Sequence, residues 1–166
     1  MIKVQQEDFD VGAEIGRLSE GNAKVGGLAC FVGLVRDIAG DQPISSLTLE
    51  HYPGMTERQL EKLEAEARRR WPLQDVLIIH RYGTLDPGDR IVLVVTASAH
   101  REASLESCHF LIDWLKTKAP FWKQEATPSG PKWVSARDED DAAAERWVKD
   151  AAPEKDGDRK TAETAE

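Results

Sequence analysis

The chain has 166 residues and a mass of 18.5 kDa, enough for one domain with a sizeable core. Hydrophobic residues make up 40% and charged residues 31%, an ordinary water-soluble balance, and no apolar run approaches the roughly 20 residues of a membrane span. The formal net charge is -8, of which the first 137 residues carry -2, and nucleic-acid binding wants a broader basic surface than that body offers.

That acidity is unevenly placed. Residues 138–166 hold eleven Asp/Glu and five Lys/Arg, a net of -6, which leaves only -2 on the first 137 residues. The body is therefore open to an anion. The start, MIKVQQEDFD, has neither a basic n-region nor a long apolar h-region, so no signal peptide is expected. Cys30 and Cys108 form no CxxC and are expected as reduced core thiols of a cytoplasmic protein.

In chain order, Ile2-Lys3-Val4 predicts an edge strand. Asp8 or Asp10 caps a short helix through Ala13, Ile15 and Leu18. Gly26–Arg36 reads as a buried strand, Asp37–Pro43 as a loop, and alternating Ile44–Tyr52 as a second strand in a hairpin with the first. After Pro53-Gly54, Thr56 with Gln59 predicts a capped helix whose apolar stripe is Leu60, Leu63, Ala67 and Trp71. Val76–Ile79 is a buried strand running into His80-Arg81, Tyr82–Asp89 a turn-rich loop, and Ile91–Ala97 the most strand-like run of all. A second long helix begins near Ser98–Arg101. Its apolar stripe is Leu105, Cys108, Ile112 and Leu115, widened by Leu111 and Trp114, and Glu102, Glu106, His109, Asp113 and Lys116 lie opposite. Pro120 ends it. Phe121–Glu125 and Lys132–Ala136 flank the turn Pro128–Pro131 as a hairpin. An Ala-rich helix to Trp147 closes a domain over 1–147, and 148–166 is expected to be a disordered acidic tail. Antiparallel hairpins with two main helices make an α+β single domain.

Chemistry concentrates in Leu115–Arg137. Lys116, Lys118, Lys123, Lys132 and Arg137 stand there against one acid, Glu125, among Phe121, Trp122 and Trp133. A lysine near a helix C-terminus has a bland reading, since it complements the helix dipole. Three lysines within eight residues tilt the balance towards amine chemistry. His100-Arg101 stands where a strand gives way to a helix, a place for a bidentate anion contact, and Arg36 ends a strand at a loop. The four histidines lack paired ligand spacing, so no metal is expected, and the phosphate-loop, dinucleotide and nucleophile-elbow motifs are absent. Composition and spacing stop at an anion-binding α+β domain with candidate lysine chemistry.

Five blocks in register carry the reading further: FVGLVRD (31–37), LTLEHYPGMTE (47–57), IIHRYGTLDPGD (78–89), SAHREAS (98–104) and DWLKTKAPFWKQEATPSGPKWVSAR (113–137). Together they resemble the large, catalytic subunit family of molybdopterin synthase, from about residue 2 to Trp147. The resemblance implies an α/β-hammerhead fold and a sulfurtransferase of molybdenum-cofactor biosynthesis. Such an enzyme converts cyclic pyranopterin monophosphate to molybdopterin with two sulfurs. The sulfur comes from a thiocarboxylate on the C-terminal Gly-Gly of a small ubiquitin-like sulfur-carrier subunit. The resemblance also implies a homodimer within a heterotetramer, no resident cofactor, and no nucleic-acid or membrane partner. By position it marks Lys116 and Lys123 as catalytic. Arg36, His100 and Arg101 become substrate-anion residues, Arg137 reaches in from the other protomer, and Leu34, Val35, Gln124 and Glu125 flank them. On this expectation Arg36, His100, Arg101 and Arg137 hold the phosphate together. A docking module for a Gly-Gly tail and a plain phosphate binder remain as alternatives.

Overall fold

The structure is a computed structural model that describes residues 1–39, 42–134 and 146–147. Its elements in chain order are β1 (Ile2–Gln5), α1 (Val11–Ser19), β2 (Gly27–Leu34), β3 (Ile38–Ala39), β4 (Gln42–Pro43), β5 (Ser46–His51), α2 (Met55–Arg70), β6 (Leu73–Arg81), β7 (Gly83–Leu85), β8 (Arg90–Ser98), α3 (Arg101–Thr117), β9 (Phe121–Thr127) and β10 (Gly130–Val134). The α+β expectation holds, with two main helices, α2 and α3, and the short α1.

The strands form two four-stranded sheets, ordered β1-β6-β8-β2 and β10-β9-β5-β7, plus the small antiparallel pair β3-β4. Within the two sheets only β1 and β6 run parallel. The first sheet is apolar on both faces. Leu77, Ile79, Leu93 and Val95 pack against Val11, Ile15 and Leu18 of α1, while Val76, Ile78 and Val94 pack against Ala67 of α2 and Cys108, Phe110 and Leu111 of α3.

This two-sided burial explains one departure from expectation. β2 does not pair with β5; it pairs antiparallel with β8. Ala29 and Phe31 join the α2–α3 side of the core and Leu28 and Val32 the α1 side, so β2 needs cover on both faces. β5 has one apolar face, Leu47 and Leu49, and belongs to the second sheet between β9 and β7. The loops expected at Asp37–Pro43 and Tyr82–Asp89 contain the β3–β4 pair and β7 respectively.

Other corrections are local. α2 starts two residues earlier than the Thr56 cap requires: Gly54, at φ 78°, is the N-cap, and its N–H donates to Glu57 Oε2 at 2.6 Å. Thr56 is buried and donates to the Tyr52 carbonyl at 3.1 Å. On α3 the buried face is Ala103, Ser104, Ser107, Cys108, Phe110 and Leu111, which leaves Leu105 59% exposed. Asp113, expected on the solvent side, is buried because the Trp147 indole N–H donates to its Oδ2 at 2.7 Å and Arg146 pairs with it. Both cysteines are free. Cys30 is exposed on the edge strand β2 rather than in the core, whereas Cys108 is buried and burial pushes its thiol up to about 12. The Ala-rich helix leading to Trp147, the acidic tail and Arg137 lie outside the described residues.

Candidate active site

The site forms where α3 hands over to β9. The Lys118 N–H closes α3 on the Trp114 carbonyl at 2.8 Å, Pro120 prevents continuation, and the Phe121 N–H bonds back to the Ala119 carbonyl at 2.8 Å. Lys116, in the last turn of α3, and Lys123, the third residue of β9, therefore flank one tight turn. Both are exposed in the single chain.

β9 lies between β5 and β10, with Lys123 opposite Leu49 on one side and Val134 on the other. Leu49 is 1% exposed and packs with Leu47, Leu85 and Val35. Val35 brings the end of β2 to the same place. Its N–H donates to the Asp89 carbonyl and its carbonyl accepts from the Gly88 N–H, both at 2.9 Å, which clips the chain to the β7–β8 turn just before Arg36. Leu34, 53% exposed, lines an open cleft of about 440 Å³ with Val32, Asp8 and Arg90. Leu34, Val35, Arg36, Lys116 and Lys123 thus gather at one end of the subunit. Strand alternation puts Glu125 on the Lys123 face and turns Gln124 to the opposite face with Trp122.

His100 and Arg101 are not there. Arg101 opens α3, and the helix separates it from Lys116 by about 22 Å at 1.5 Å per residue. The first sheet gives the same answer, because Gly27 of β2 is paired with Ser98 at the His100 end and Leu34 with Arg90 at the other. The single phosphate pocket expected of Arg36, His100 and Arg101 is not assembled within one chain.

One group was not found from the sequence. His80 is buried at the end of β6, its ring stacked on Phe121 with centroids 3.6 Å apart and planes 14° apart. Its Nδ1 lies 2.8 Å from the Arg81 carbonyl. Burial first, then the charge of Lys123 and the neighbouring His51, bring its pKa down to about 4 against the opposing pull of that carbonyl. His51 faces Phe121 across the β5–β9 ladder, and its ring sits 4.5 Å from that of Tyr82. In the sequence His80 is one apolar-strand residue without a partner motif. Only the meeting of the two sheets puts it beside Lys123. Among the described residues no group of three His, Cys, Asp or Glu side chains is placed to hold a metal ion, and no helix is long and apolar enough to cross a membrane.

The fold is an α+β domain with Lys116 and Lys123 on either side of the α3–β9 turn. Residues 4–118 match the family model described as MoaE protein. The chain is 51% identical over 146 residues to the molybdopterin synthase catalytic subunit of Pseudomonas aeruginosa, covering 88% of this chain and 97% of that one. A MoaE protein structure from Burkholderia ambifaria superposes with a TM-score of 0.77 at 54% identity, over 89% of this chain and 97% of that one. Molybdopterin synthase from Staphylococcus aureus superposes at 0.73 with 28% identity, over 80% and 96% respectively. The chain belongs to the MoaE family of molybdopterin synthase catalytic subunits. It is an enzyme subunit of molybdenum-cofactor biosynthesis, acting in sulfur transfer to a pterin.

Proposed function

We propose that two copies of this chain build each active site, with Lys116, Lys123 and Arg36 from one and His100, Arg101 and Arg137 from the other. The observation that carries this is the length of α3, which holds Lys116 and Arg101 about 22 Å apart in one chain. The substrate is cyclic pyranopterin monophosphate, and the sulfur donor is the thiocarboxylated Gly-Gly terminus of a small ubiquitin-like subunit, all in the cytoplasm. Both reactants are anions, so the site needs clustered cations. Arg36 with the other copy's His100, Arg101 and Arg137 holds the phosphate through charge-assisted bonds.

Releasing each sulfur breaks its bond to the tail's acyl carbon. The sulfur first bonds to a pterin side-chain carbon. At one carbon it displaces a phosphate oxygen; at the other it adds to the carbonyl carbon, with later loss of water. Water then adds to the acyl carbon of the resulting thioester and a tetrahedral oxyanion forms. Its collapse breaks the acyl C–S bond, leaving a carboxylate on the tail and a thiolate on the pterin. Lys116 stabilises that oxyanion. Lys123 moves protons as the cyclic phosphate opens and water is lost. Leu34 and Glu125 border the pocket, Val35 packs beneath it, and Gln124 faces away. No resident cofactor enters this scheme.

Lys116→Ala and Lys123→Ala are each expected to lower product formation about a hundredfold or more, the usual contribution of a positioned acid or base. The assay mixes protein, thiocarboxylated small subunit and cyclic pyranopterin monophosphate. Arg101→Ala should fail alike, and mixing it with Lys123→Ala should restore activity through hybrid dimers carrying one intact site. Absence of restoration in verified hybrid dimers sinks the shared site.

A further inference from the structure

We propose that His80 is a positioning residue for Lys123, acting through its ring stack on Phe121. This rests on the reading of Lys123 as catalytic. Phe121 and Lys123 are two residues apart on β9 and share a face, so whatever fixes the Phe121 ring fixes the strand at the point where the lysine leaves it. What fixes it comes from the other sheet. The His80 imidazole lies nearly parallel on Phe121, 3.6 Å between centroids, closer than the ordinary spacing of ring pairs.

The imidazole is itself held. It is 6% exposed, its backbone is paired with Val4 of β1 and Val92 of β8, and Nδ1–H donates to the Arg81 carbonyl at 2.8 Å. That bond sets both the ring plane and the tautomer, leaving the Nε2 lone pair uncharged. A phenyl ring offers the stack without the anchor, and a protonated imidazole adds a repelling charge near Lys123. Burial keeps the ring neutral near pH 7. His51, opposite Phe121 in the β5–β9 ladder, also has its ring 6.1 Å from the Phe121 ring. Phe121, the first residue of β9, thus has an imidazole from each sheet near its ring.

The test separates stack from anchor. His80→Asn keeps an amide donor near the Nδ1 position and removes the ring; His80→Phe keeps the ring and removes the donor. We expect His80→Asn to lower kcat about tenfold or more with the pterin KM little changed, since ångström-scale misplacement of a catalytic group costs up to about a hundredfold. His80→Phe should lose less. In a Lys123→Ala background His80→Asn should cost nothing further, whereas a general structural role adds its full loss there. Phe121→Leu carries the same test if His80→Asn does not fold. Near-normal kcat in folded His80→Asn, or additivity with Lys123→Ala, overturns the proposal. Near-normal turnover in Lys123→Ala alone overturns the parent reading instead, and is seen before any His80 variant is made.

Discussion

The two sheets do different work. In the first, β6 and β8 are buried from Val76 to His80 and from Leu93 to Ser98, with helices on both faces. In the second, only a small cluster around Leu47, Leu49, Leu85 and Val35 is buried, and Trp122 and Trp133 stand 49% and 53% exposed. Stability resides in the first, and the proposed chemistry lies in the second, where Lys123 is paired directly with Leu49. A reacting side chain needs a rigid backbone and an open front. A half-covered sheet fastened to a fully covered one supplies both.

The comparison breaks most visibly at the two cores. Phe110, fully buried among the α2–α3 contacts and edge-on to Trp147 at 5.6 Å, anchors the first sheet. Phe110→Ala should cost about 3–5 kcal/mol. Leu49→Ala should cost nearer about 2 kcal/mol, because its cluster is small and close to the open side. It should also depress turnover more than its stability loss accounts for. Denaturant unfolding beside initial rates checks both. Equal stability losses with unchanged turnover in Leu49→Ala would erase the distinction.

Legibility in the sequence follows the same line. The first sheet's inner strands and the helices were readable because their apolar runs and 3.6-residue periods are local signals. The partner of β2 was not, since pairing depends on which strand lies between helix layers. Asp113 was misread for a related reason: its polar side chain is buried only because Trp147 returns to it from 34 residues on. The resemblance singles out the lysines as candidates, but the roughly 22 Å between Lys116 and Arg101 is a length that no motif records. His80 had no signal at all, because its partner Phe121 belongs to the other sheet.

His80 also makes the junction of the sheets titratable. In the unfolded chain its imidazole takes a proton near 6.5, and in the fold only near 4. Between those values the unfolded state binds the extra proton, so stability rises with pH across this window and falls on acidification. Lowering the pH from 7 to 5 should cost about 2 kcal/mol from this group. His80→Phe should flatten that part of the stability profile. An unchanged slope in the variant assigns the acid sensitivity elsewhere.

The smallest expected effect lies on the outer face of the second sheet. Trp122 is paired with Glu50 and Trp133 with Gln124, so both rings lie on the face away from Leu47 and Leu49. Large aromatics favour strands, but much of that preference comes from packing, and here about half of each ring meets solvent. Trp133→Thr puts a β-branched, strand-favouring side chain in its place and should cost only about 1 kcal/mol of stability. A loss comparable with that of Phe110→Ala would mean that this face is as much a core as the first sheet, and the division of labour between the sheets would fail.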